Sequence, residues 1–188
     1  MTGTELSRRE RKKEETKERI FAAAFSLFKE KGFEATTVDD ISAKADVAKG
    51  TFFNYFPRKE SVLGYLNELW LLEAEEQAEA ILAERPSGAK LGAKLLDMFT
   101  SFASAYEEDR ALSKHVIMEW MKRAYSGTDD TCVRWHNLGV RVLKGLQESG
   151  EVRSDIDPER AEFVLGSVYM GTLMMWLDRP DAGFGLRD

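Results

Sequence analysis

The stretch TTVDDISAKADVAKGTFFNYFPRK, residues 36–59, constrains this chain more than any other. Val38, Ile41 and Ala45 recur at i, i+3 and i+7, which is one face of a helix. Thr37, with Asp40 three residues on, forms a capping box that starts it. Asp46, Val47 and Ala48 leave room only for a turn. A second helix is expected from about Ala48 to Tyr55, with Phe52 and Phe56 one turn apart on its inner face. Pro57 biases Phe56 away from the α region and ends that helix. Two short helices joined in this way make a helix-turn-helix. Lys49, Gly50, Thr51, Asn54 and Tyr55 are left facing outward. They supply a cation, bare backbone, a hydroxyl, an amide and a phenol, the groups a helix needs to meet phosphates and base edges in a major groove.

The run from Thr37-Val38-Asp39-Asp40-Ile41 to Lys49-Gly50-Thr51-Phe52-Phe53-Asn54-Tyr55-Phe56, closed by Lys59-Glu60, resembles the DNA-binding signature of the tetracycline-repressor (TetR) family. The motif covers about residues 15–65; beyond it the chain is similar to the family only in length and helical character. The resemblance implies an all-α protein of about nine helices. An N-terminal three-helix helix-turn-helix domain (1–60) would precede a C-terminal helical domain (61–188) for ligand binding and dimerisation. It also implies a phosphate contact for the amides capped by Thr37. Lys49 is placed to reach base edges, Tyr55 to donate to a phosphate, and Lys59, at a helix start, to hold an anion with the helix dipole. Phe53 stands where the family usually has tyrosine, and either packs or presses on a thymine methyl. Two further departures are Asp46 at a usual glycine and Ala48 at a usual Ser or Thr. Aspartate tolerates the left-handed turn, whereas alanine removes a side-chain cap.

Overall charge is −6, which argues against nucleic acid until the chain is divided. Residues 1–60 hold 13 Lys+Arg against 11 Asp+Glu, and residues 61–188 hold 14 against 22, so the two parts carry +2 and −8. This fits a local DNA-facing patch on an acidic body. Arg8, Arg9, Arg11, Lys12 and Lys13 read as a frayed arm leading into a first helix that ends near Lys31 and closes at Gly32. The single Cys132 has no disulfide partner in the chain, and the N-terminus has no apolar signal core, so a cytoplasmic setting is expected. The run 164–177 is too short to span a bilayer of roughly 30 Å, and no membrane partner is expected.

Further helices are expected over 58–84 and 89–107. A bent or broken pair is expected over 112–125, followed by a helix to about Ser149 and one over 158–178 that opens on Asp157-Pro158. Glu73, Glu75, Glu76 and Glu79 read as a solvated face, and Glu119 as a surface residue. Met98, Phe102, Tyr106, His115, Met118, Met121 and Trp135 suit an adaptable effector pocket and equally an ordinary core. The last helix is apolar almost all round and needs cover on both sides. The family resemblance implies a homodimer through 131–149 and 158–178.

No enzyme motif is visible, and no cofactor or metal is expected. The expected function is a transcriptional regulator, a repressor that binds double-stranded DNA at a palindromic operator and is released by an unknown small-molecule effector. The alternative is a helical carrier or sensor that has lost operator reading.

Overall fold

The computed structural model describes residues 7–83, 90–127 and 130–179. Among these residues there are eight α-helices and no strand. They are α1 (Arg8–Lys31), α2 (Val38–Lys44), α3 (Lys49–Tyr55), α4 (Ser61–Ala83), α5 (Lys90–Glu108), α6 (Arg110–Tyr125), α7 (Thr131–Glu148) and α8 (Pro158–Asp178). The chain divides into two compact units, Met1–Tyr65 and Leu66–Asp188.

In the first unit α1 opens on a reciprocal cap. Ser7 Oγ accepts from the Glu10 amide at 3.3 Å, and the Glu10 carboxylate accepts from the Ser7 amide at 2.8 Å. The terminal amides thus have partners, and Arg8, Arg9, Arg11, Lys12 and Lys13 lie exposed on the helix itself rather than on a frayed arm. Ile20, Ala23, Ala24 and Phe28 are the buried stripe of α1. Gly32, at φ +87°, turns the chain out of the helix, and its amide donates to Phe28 O at 3.0 Å. The Phe33 ring then returns to within 4.9 Å of Phe28. Ile41, Phe52, Phe56, Val62 and Leu63, all at most 2% exposed, complete this small core.

The second unit has two apolar clusters. Leu71, Ala74 and Ala78 of α4 pack with Leu91, Leu95 and Met98 of α5 and with Leu138 and Val142 of α7. Tyr106, Ile117, Leu173, Trp176 and Leu177 form the other, bordered by Trp70, Met121, Met170 and Met174. Where a bent or broken pair is expected, α6 is one helix. Asp109 caps it by accepting from the Leu112 amide at 2.9 Å, and Leu112, Val116 and Ile117 bury a continuous inner face. Glu119 is buried at 2% exposure rather than on the surface, because it lies on that inner side of α6.

Charged side chains join the helices of this unit. Arg134 of α7 donates to Glu68 at 3.0 Å and to Glu75 at 2.6 Å, and Arg141 donates to Glu79 at 3.0 Å. Glu75 is thereby half-buried against α7, while Glu73, Glu76 and Glu79 of the same face stay exposed. The Glu151 carboxylate accepts from the Leu91 and Gly92 amides at 3.2 and 2.9 Å, capping α5 from far along the chain. α8 opens as its first residues predict, with Asp157 accepting from the Glu159 amide at 3.0 Å before Pro158 enters the helix. No helix among the described residues is long and apolar enough to cross a membrane.

Candidate nucleic-acid interface

The helix-turn-helix is α2, the turn 45–48 and α3. Thr37 Oγ1 accepts from the Asp40 amide at 3.1 Å, while the Asp40 carboxylate accepts from the Thr37 amide at 2.9 Å. Lys31 also donates to Asp40 at 2.6 Å, and these bonds hold its carboxyl well below the usual carboxylate range, with the lysine contributing most. Thr36 is buried and donates to Gly32 O at 2.8 Å, tying the start of α2 to the end of α1. Asp46 takes the turn at φ +51°, the left-handed conformation that an aspartate accepts. Ala48 offers α3 no side-chain cap.

Burial then sorts α3 into two sides. Phe52 is fully buried, with its ring 5.8 Å from Phe56. Lys49, Gly50, Phe53 and Asn54 are exposed, and Thr51 and Tyr55 are half-buried. Phe53 is 45% exposed, its edge set against Phe52 at 5.5 Å. Gly50 has an ordinary backbone conformation, and a Cβ built there meets nothing within 4 Å. Neither packing nor geometry within the chain requires glycine at that point, although glycine costs a helix about 1 kcal/mol relative to alanine.

Two lysines have partners that the sequence did not announce. Lys49 Nζ lies 2.8 and 3.0 Å from the two carboxylate oxygens of Asp39, ten residues earlier on α2. Lys59 precedes α4 and donates to Phe33 O at 2.6 Å and Thr36 O at 3.0 Å, with Nζ 4.1 Å from the centre of the Phe33 ring. An ammonium has three donors, so two of them already secure the loop between α1 and α2. Backbone carbonyls carry no sequence signal, so this clamp is visible only in the folded chain.

Of the residues expected for an effector pocket, four lie in the two apolar clusters. Met98 and Trp135 belong to the α4–α5–α7 cluster, and Tyr106 and Met121 to the cluster that holds Trp176. Met118 is 40% exposed and His115 half-buried, while the side chain of Phe102 lies outside the described residues. Burial keeps the Tyr106 phenol protonated far above its ordinary range.

Residues 20–66 match the bacterial regulatory proteins of the tetR family. The chain is 30% identical to Thermus thermophilus FadR, a TetR-family transcriptional repressor solved with lauroyl-CoA, covering 91% of this chain and 87% of that one at a TM-score of 0.72. This chain belongs to the TetR family. The TetR-family chain is also 28% identical to the repressor KstR2 of Rhodococcus jostii, over 73% of its own length and 68% of that protein's. The repressor DhaR of a Mycobacterium species is 23% identical over 81% of this chain and 78% of that one. This chain is thus a TetR-family transcriptional regulator with a DNA-binding helix-turn-helix.

Proposed function

We propose that this regulator is a repressor, binds a palindromic operator as a homodimer and is released by a small-molecule effector. The observation that carries the reading is the outward side of α3, where a Cβ added to Gly50 would meet no side chain within 4 Å, between exposed Lys49 and exposed Asn54. A groove wall coming close to the backbone gives that glycine a purpose. In this reading Thr37, Thr51 and Tyr55 hold phosphates, Lys49 and Asn54 reach base edges, and Phe53 meets a thymine methyl. Lys59 contributes its third donor to a phosphate while it clamps the loop.

Dimerisation through α7 and α8 is supported by the apolar side chains that α8 leaves uncovered. Two-fold symmetry sets the two α3 helices about one DNA turn apart, about 34 Å. An effector that favours another spacing lowers DNA affinity by the coupling free energy, about 1–3 kcal/mol. Lauroyl-CoA, the ligand of the Thermus thermophilus relative, is the first effector to try.

Selection from a pool of random duplexes tests the reading. A two-fold symmetric consensus is expected, and Lys49→Ala is expected to relax preference at one position in each half-site by about 1–3 kcal/mol. An unenriched pool would refute operator reading. Gly50→Ala has effects of opposite sign on two measurements. It raises the stability of the first unit by up to about 1 kcal/mol in denaturant titration, while binding to the selected duplex weakens. Unchanged binding would remove the close approach assigned to Gly50.

A further inference from the structure

We propose that Asp39 is a specificity-determining residue that acts by positioning Lys49. This inference rests on the reading of α3 as the base-reading helix. The side chains of both residues are largely exposed, 70% for Asp39 and 55% for Lys49, yet the ammonium lies within 3.0 Å of both carboxylate oxygens. The neighbouring Asp40 is engaged by Thr37 and Lys31, so the two adjacent carboxylates have separate tasks.

Lysine is a compact charge on a flexible four-carbon stem. Left alone at the start of α3, Lys49 would pair with whichever phosphate came near and add to sequence-independent binding. Held by Asp39, the ammonium is aimed from one side. A phosphate must displace a carboxylate of like charge to take it. Guanine O6 or N7 is an uncharged acceptor, and either can take the remaining donor while the carboxylate stays in place. Asp39 thus weakens the phosphate contact and spares the base contact, which widens the gap between operator and random DNA.

The test uses the full chain, a duplex selected from a random pool and a random duplex, titrated at several salt concentrations. Asp39→Asn is expected to bind the random duplex several-fold more tightly. The dependence of log affinity on log salt should steepen by about one, the slope of one added phosphate contact. The ratio of selected to random affinity should fall. In a Lys49→Ala background the same Asp39→Asn change should alter neither slope nor ratio. A wild-type slope and ratio for Asp39→Asn would overturn the proposal, and so would an undiminished effect without Lys49. If the wild-type chain itself prefers no duplex, the reading of α3 falls, and this inference with it. That result is separate, because it appears before any change at Asp39.

Discussion

Val168→Arg is expected to leave the protein a monomer at micromolar concentration and to cost at least about 100-fold in operator affinity, which corresponds to roughly 2.7 kcal/mol. Leu173, Trp176 and Leu177 turn one side of α8 into the core, whereas Val164, Val168 and Met175 stand 59%, 62% and 54% exposed. These three, with Gly171, follow i, i+4, i+7 and i+11, a single stripe along the helix. Phe163, at 71%, and Leu165, at 57%, widen the apolar area near its start. Contiguous apolar surface of this kind marks an interface, and a second copy of the chain is the occupant that the proposed homodimer supplies. In a two-fold interface one substitution acts twice, so Val168→Arg would bury two unpaired charges, each disfavoured by several kcal/mol. Within one chain the side chain already faces outward, so the thermal midpoint of the second unit should not collapse. Sedimentation and duplex titration read the two effects. A Val168→Arg protein that sediments as a dimer would rule out this face of α8.

Phe52→Ala should destabilise the first unit by about 3–5 kcal/mol, the usual loss for a fully buried phenylalanine. Phe52 is 0% exposed and touches the rings of Phe53 and Phe56. It lies in a unit that ends at Tyr65, a size at which core burial is marginal. All four tryptophans, Trp70, Trp120, Trp135 and Trp176, lie in the second unit. The expected signature in urea is therefore an early loss of helical circular dichroism while tryptophan fluorescence holds. Coincident loss of both signals would mean that the two units unfold as one.

Local chemistry made much of the fold legible. Thr37 with Asp40, Gly32 after α1 and Asp157-Pro158 before α8 each name a helix end through hydrogen bonds within a few residues. Periodicity identified Phe52, Phe56 and Ile41 as inward, and all three are buried. Distant partners were not legible. Glu151 caps α5 from 60 residues away, and Arg134 finds Glu68 66 residues back. Periodicity says which side of a helix is buried but not which buried side it meets: Met98 and Tyr106 share the inner face of α5 and lie in different clusters. At the candidate interface the exposed residues of α3 could be named. The partners of Lys49 and Lys59 could not, because an outward lysine takes whichever acceptor the fold brings within reach.

Arg134 has a mechanical consequence. Glu68 and Glu75 lie seven residues apart, two turns along one flank of α4, and a single guanidinium bridges them from α7. A guanidinium is planar and its donors are rigidly spread, so one group holds both carboxylates at the present register. Shifting α7 along α4 by a fraction of the 5.4 Å pitch breaks contacts with both carboxylates before any new seat is reached. Sliding between these two helices is therefore penalised twice over by one side chain, which pins their relative height as a single peg through two holes would.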